Sequence, residues 1–201
     1  SPPALPPPPP FTEVAQGKPA SSSSVGWGGL PSRGVDGNTA TSWGQKSCTH
    51  TRREHDPWWM VDLQQPFSIL SVELWNRKDC CSQRINGAEI RVSPTPNVED
   101  AVTCATVGTS LGAGDNGNFP CEAAGQYVFV VIPGDRQILT LCEVKVYAIP
   151  APPAPPLPPA APSPPPPPPF TEVAQGKPTA ASSIAHRGDP ARGVDGNTDT
   201  N

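Results

Sequence analysis

Residues 11–148 predict an all-β fold, an antiparallel β-sandwich or jelly roll, on three observations. Apolar residues recur with a period near two in four runs: Trp58–Leu63, Ile69–Asn76, Tyr127–Ile132 and Leu139–Tyr147. Turn chemistry separates the runs, and no long stretch carries a helical stripe. In chain order, WWMVDL is rich in aromatic and branched residues, and its Trp58 and Trp59 are assigned to the core. ILSVELWN alternates apolar and polar positions up to Asn76. The glycines of Gly112–Gly117 mark a turn, YVFVVI reads as a buried strand, and Pro133-Gly134-Asp135 turns the chain into LTLCEVKVY.

The rest of the chain does not share this pattern. Of 31 prolines, seven lie in residues 1–10 and fourteen in 150–169, segments too poor in apolar side chains to offset the entropy of ordering. They predict polyproline II spacers, and a twenty-residue one spans on the order of 60 Å. A docking site for proline-recognising domains is the alternative use of such a segment. The predicted organisation is a linker at 1–10, a domain at 11–148, a linker at 149–169 and a second unit from 170 to 201.

That second unit repeats the first. FTEVAQGKP at Phe11–Pro19 recurs at Phe170–Pro178, and RGVDGNT at Arg33–Thr39 recurs at Arg192–Thr198 with the same offset. Residues 170–201 therefore predict the start of a second copy of the domain. Between the matching blocks, ASSSSVGWGGLPS in the first copy faces TAASSIAHRGDPA in the second. The loop differs where its flanks do not.

Charge excludes some functions. Fourteen Lys and Arg against eighteen Asp and Glu leave a net charge of -4 without a basic tract, which argues against bulk binding to nucleic acid or anionic lipid. No apolar run approaches the ~18 residues of a membrane span. Six cysteines, all between Cys48 and Cys142, suit a disulfide-bonded module in an oxidising, extracellular compartment. No leader is visible before the first proline run, so a targeting segment is expected to have been removed.

The densest polar cluster is HTRREHDPWW from His50 together with NRKDCCSQR from Asn76. Taken as a turn after a strand, the second places Arg77, Asp79 and Arg84 on one rim. Asp79 can orient the arginines, whose planar forks then offer fixed N–H groups to hydroxyl oxygens, and His50 adds a further donor or acceptor. A surface salt-bridge network is the alternative. His55 reads as solvated surface. Adjacent Cys80 and Cys81 would, if joined, form a rigid and rather apolar bump beside the arginines, fit to pack against the less polar face of a sugar ring. Six cysteines allow 15 pairings, and those in which the two bond elsewhere stay open.

His50, Arg77-x-Asp79 and Arg84 at this spacing resemble the motif of the F-type lectins, the fucose-binding fucolectins. GKPA at Gly17, VDGN at Val35, SCTHT at Ser47, PWWMVDL at Pro57, NRKDCC at Asn76 and LCEVKVY at Leu141 follow in the family's order. The resemblance implies a discoidin-like jelly roll and a fucose site made by His50, Arg77 and Arg84. Asp79 then positions the arginines, and a Cys80-Cys81 vicinal disulfide lies under the sugar. It implies bridges Cys48-Cys142 and Cys104-Cys121. It further implies a structural Ca2+ held by the Arg33, Asn38, Ser47 and Cys142 carbonyls, the Ser47 hydroxyl and the Asp36 and Glu143 carboxylates, an oxygen set of the kind calcium takes. Taken alone, without the resemblance, Asp36-Gly37-Asn38 reads as an ordinary turn. The variable loop from Ala20 to Ser32 is expected to shape the rim. Trp43 is placed against the fucose methyl and Trp27 near a neighbouring sugar, with packing as the alternative for each.

Fucosylated glycans are thus the expected partner. A discoidin-like lipid or protein binder would share the fold but gives no reason for Arg-x-Asp-Cys-Cys. An enzyme is disfavoured, because no acid-base carboxylate pair or nucleophile motif is present. Repeats on proline spacers point to multivalent adhesion. They resemble the sperm bindins of bivalves, which implies gamete recognition by a secreted protein, stored in that case in the acrosomal vesicle. A soluble lectin that agglutinates fucosylated microbes is the alternative.

Overall fold

The computed structural model describes residues 11–109 and 111–151, so the linker at 1–10, most of the linker at 149–169 and the second copy at 170–201 lie outside the described residues. Seven strands form the domain: β1 (Thr12–Glu13), β2 (Ala20–Ser22), β3 (Trp58–Trp75), β4 (Glu89–Ser93), β5 (Val102–Thr106), β6 (Asn116–Val131) and β7 (Glu143–Pro150). Short 3-10 turns occupy Pro31–Val35, Trp43–Gln45, Ser82–Ile85 and Val98–Asp100. Every pairing is antiparallel, in the order β1-β7-β3-β6-β4-β5, with β2 added to β3. The all-β expectation holds, and among the described residues no helix is long and apolar enough to cross a membrane.

Strands β3 and β6 organise the rest. Their pairing is interrupted between Asp62 and Phe67, where Gln64 takes a positive φ of 67° and Pro66 withholds a donor from the ladder. Before the interruption β3 pairs with β2, and the facing part of β6 pairs with β4. After it, β3 pairs with β7. Each long strand thus serves two groups of neighbours, whose inward side chains meet in one core. Val61, Ile90, Val92, Val128 and Val130 come from one group, and Ile69, Val72, Leu74, Val144 and Val146 from the other. The alternation is visible within β3, where Trp59, Val61 and Leu63 enter this core while Met60 joins Phe129 and Val131 in a smaller cluster on the opposite face.

Three expectations need correction. The runs Trp58–Leu63 and Ile69–Asn76 belong to one interrupted strand that ends at Trp75. The fourth run is a strand only from Glu143 onward. Upstream of it, the Leu139 and Leu141 N–H groups donate to the hydroxyls of Thr51 and Thr49, at 2.9 and 3.1 Å, so side chains replace the backbone acceptors of a ladder. Strands β4 and β5 are additional. With five residues each, and Val102 of β5 left 70% exposed, they carry too few inward apolar side chains to register as a period.

Disulfides join Cys48 to Cys142, Cys80 to Cys81 and Cys104 to Cys121. Closing the 94-residue separation between Cys48 and Cys142 removes unfolded-state entropy worth about 4 to 5 kcal/mol in the chain-entropy account. Trp59 is fully buried, its indole N–H donates to the Pro31 carbonyl at 2.8 Å, and a Cβ on Gly34 would lie 2.9 Å from its ring. This ring seats the Pro31–Val35 turn on the sheet. Trp59→Ala in the 1–201 chain should therefore cost about 3 to 5 kcal/mol in urea unfolding, and a loss below about 1 kcal/mol would show that the ring does not anchor the turn.

Candidate functional site

His50 is placed by its neighbours on both sides. The Thr49 and Thr51 N–H groups donate to the carbonyls of Leu141 and Leu139, at 2.6 and 3.0 Å, while their hydroxyls receive the return bonds. The Cys48-Cys142 disulfide lies at the end of this double clamp. From the other side, Gly26 donates to the His50 carbonyl at 2.7 Å and the His50 N–H donates to Gly29 at 3.1 Å. A Cβ on Gly29 would stand 2.5 Å from the His50 nitrogen, so the loop can approach this closely only with glycine there.

Arg77 and Arg84 follow the end of β3. The buried Asn76 side chain donates to the carbonyls of Ser82, Leu111 and Gly112, each at 3.0 Å, and its oxygen accepts the Arg77 N–H at 2.8 Å. One amide thereby ties the backbone at Arg77 to that at Ser82, two residues before Arg84. Asp79 grips Arg77 with two bonds, 2.8 Å to Nε and 3.2 Å to Nη2, and accepts the Trp43 N–H at 3.2 Å. Hydrogen bonding from Arg77 is the chief reason the Asp79 carboxyl titrates below its ordinary range. Asp79 engages one arginine rather than two. Arg84 Nη1 instead lies 3.2 Å from His50 Nε2.

That contact fixes the imidazole tautomer. A guanidinium only donates, so Nε2 accepts and Nδ1 carries the proton, which it gives to the Thr51 carbonyl. Burial lowers the His50 pKa from 6.5, and the charges of Arg84 and Arg77 add to the effect against the opposing Thr51 bond. The ring is neutral at physiological pH. Burial, then the charges of Arg77 and Arg53, likewise lower the Arg84 pKa.

Together Trp27, Trp43, His50, Arg77, Cys80 and Arg84 line a hollow of about 240 Å3. Trp43 meets His50 edge to face at 5.6 Å, and the Arg77 guanidinium lies 4.9 Å from its ring centroid. Cys81, with φ at 59°, turns the chain behind Cys80 and does not line the hollow. His55 is exposed and faces Asp56 and Asp135. The arrangement offers two oriented guanidiniums, an imidazole and aromatic and sulfur surface, with the one nearby carboxylate already engaged. Its donors suit the hydroxyls of a small polyol, and no carboxylate is among the residues that line it. Sequence reading missed the clamp residues Thr49 and Thr51 and the organising Asn76, although Asn76 stands beside Arg77 in NRKDCC.

The residues for a cation lie across the same disulfide. Glu143 is fully buried, its Oε1 accepts the Gly37 N–H at 3.1 Å, and its Oε2 has no hydrogen-bond partner. Burial pushes its pKa up to about 7, with Asp36 contributing. A buried carboxylate oxygen without a donor, beside a second carboxylate, fits a hard cation. Among the described residues no three His, Cys, Asp or Glu side chains converge, so backbone carbonyls would have to complete the shell. The Ser47 hydroxyl donates to Ser42 and the Asn38 side chain accepts from Ala40, while the Arg33 side chain reaches the Cys48 carbonyl.

Residues 33–130 match the family described as NedA-like, galactose-binding domain. Fucolectin-1 of Anguilla japonica is 40% identical over 124 residues, 60% of this chain and 68% of that protein. Among solved structures, an F-lectin (fucolectin) from striped bass (Morone saxatilis) serum superposes with a TM-score of 0.65 at 41% identity, over 68% of this chain and 47% of that one. The lectin domain of lectinolysin, complexed with Lewis b antigen, gives 0.60 at 30% identity over 69% and 96%. In one longer curated relative this chain spans only 33% of the length. The motif and fold of residues 11–148, together with these likenesses, make the chain a member of the F-type lectin (fucolectin) family.

Proposed function

We propose that the hollow between Trp43 and Arg84 binds L-fucose as the terminal residue of a glycan. One observation carries this reading: Arg77, Arg84 and neutral His50 converge on a single small hollow beside the Cys80-Cys81 bridge. Arg77 and Arg84 are held by bonds that leave guanidinium N–H groups for ligand, while His50, with Nδ1 bonded to the Thr51 carbonyl and Nε2 to Arg84, orients Arg84 and adds ring surface. Arg77 is locked by Asp79, so its free N–H donors meet ring hydroxyls at little entropic cost, and Trp43 and the bridge cover the apolar face of the sugar. The relative crystallised with Lewis b antigen supports a fucosylated partner. Nothing in the hollow supplies a reaction, so the assigned role is binding.

Calcium is assigned to the scaffold. Glu143 and Asp36 would hold it with the Arg33, Asn38, Ser47 and Cys142 carbonyls and the Ser47 hydroxyl. Bound there, the ion would neutralise two carboxylates and fasten the Asp36–Asn38 turn to β7.

At the level of the whole protein we infer a secreted, multivalent adhesion protein. The repeated Phe11–Pro19 and Arg33–Thr39 blocks and the proline runs support tandem domains on spacers, which raise the effective concentration of weak sites. Their resemblance to bivalve sperm bindins favours gamete recognition. The likeness to a serum fucolectin favours agglutination of fucosylated microbes equally well.

Three outcomes follow. Arg77→Ala or Arg84→Ala should reduce L-fucose binding at least about 100-fold by calorimetry with the circular dichroism spectrum unchanged, since each deletes charge-assisted bonds to the ligand. Near-normal affinity in either would refute the site. Removing calcium with EDTA should lower the melting temperature by about 5 to 10 °C relative to a saturating concentration. Glu143→Gln should abolish that response, and a calcium-independent melting temperature in the parent would refute the cation assignment.

A further inference from the structure

We propose that a second hollow, continuous with the fucose site, binds an oxyanion on the sugar linked to fucose, a sulfate ester or a carboxylate, through Arg52, Arg53 and Arg84. The proposal rests on the fucose reading of the first hollow. The second hollow has a volume of about 550 Å3 and adjoins the first at Trp27, His50 and Arg84, which line both. On its far side Arg53 and Arg84 line a third hollow with Arg136. Five arginines, Arg77 held by Asp79 and Arg52, Arg53, Arg84 and Arg136, therefore line these three adjoining hollows, and no carboxylate lines any of them.

The nearby acids are engaged elsewhere. Glu54 accepts from the hydroxyls of Ser23 and Ser24, Asp79 is bound to Arg77, and Asp56 and Asp135 face His55. Among the described residues no ion pair includes Arg52, Arg53, Arg84 or Arg136. This clustering stands out in a chain of net charge -4. Like charges gathered without a counter-charge are unfavourable, and a bound oxyanion removes the repulsion while meeting planar donor forks. Arg52 is steadied by a bond from Nε to the Val25 carbonyl at 3.3 Å, leaving its terminal nitrogens free. Trp27, 85% exposed and held at a φ of 51°, stands between the first two hollows as a face for the connecting ring.

The test is calorimetry on the 1–201 chain with L-fucose, a fucosyl-galactose disaccharide, the same disaccharide sulfated on galactose, and a sialylated fucosyl oligosaccharide. At about 20 mM salt an anionic form should bind about five-fold more tightly than the neutral disaccharide, and the advantage should largely vanish near 0.5 M salt. A preference for the sulfated form alone assigns a sulfate ester, and one for the sialylated form alone assigns a carboxylate. Arg53→Gln should weaken the preference and Arg52→Gln with Arg53→Gln should remove it, with L-fucose affinity unchanged in both. Equal affinity for neutral and anionic forms, or a preference that survives the double substitution, overturns the proposal while L-fucose binding stands. Failure of L-fucose itself to bind overturns the underlying fucose reading.

Discussion

The site depends on the double clamp between Thr49–Thr51 and Leu139–Leu141. Two backbone N–H groups on one side and two on the other are satisfied by a mixture of carbonyls and threonine hydroxyls, and the Cys48-Cys142 disulfide closes the end of the seam. His50 lies in the middle of it. The threonine side chains are consumed by the clamp, and the imidazole between them bonds to the Thr51 carbonyl through Nδ1 and to Arg84 through Nε2. Its direction is set by covalent and hydrogen-bonded structure rather than by a mobile loop. The same seam leads directly into β7, whose first residue is the buried Glu143. The candidate sugar site and the candidate cation site thus flank the Cys48-Cys142 disulfide in sequence, through Thr49–Thr51 and Glu143.

A second division of labour governs the arginines. Asn76 holds the segment, Asp79 holds Arg77, and His50 meets Arg84. Burying a guanidinium is costly unless it is paired, and Arg77 at 9% exposure is paired bidentately. The cationic charge that remains uncompensated lies outward, at Arg84, Arg53 and Arg52. A neutral sugar needs donors more than charge, and the surplus lies along the neighbouring hollow proposed for an oxyanion.

Much of this was legible in the chain. The period-two runs gave the all-β class, and the HTRREH and NRKDCCSQR segments contained His50, Arg77, Asp79, Cys80 and Arg84, five residues at or beside one hollow. What was not legible depended on contacts distant in sequence. Nothing local says that Thr49 and Thr51 will bond to residues about 90 positions away, or that Gly29 must be small because His50 packs against it. Strands β4 and β5 escaped notice because five residues with few inward positions leave little periodicity. Asp79 was expected to serve both arginines. The partner of Arg84 proved to be His50, whose lone pair is exposed only once the Thr51 carbonyl has fixed the tautomer.

The central claim is that one preformed hollow, framed by His50, Arg77 and Arg84, receives L-fucose. Titration of the isotopically labelled chain with L-fucose, followed by two-dimensional NMR, tests it most directly. The account predicts saturable shifts at the Trp43 indole, the Arg77 and Arg84 side chains and the His50 ring, with His50 remaining the neutral Nδ1–H tautomer and core signals such as Trp59 unmoved. Shifts that map instead to the open face around Glu13, Lys18 and Phe67, or no saturable shift at all, would contradict it.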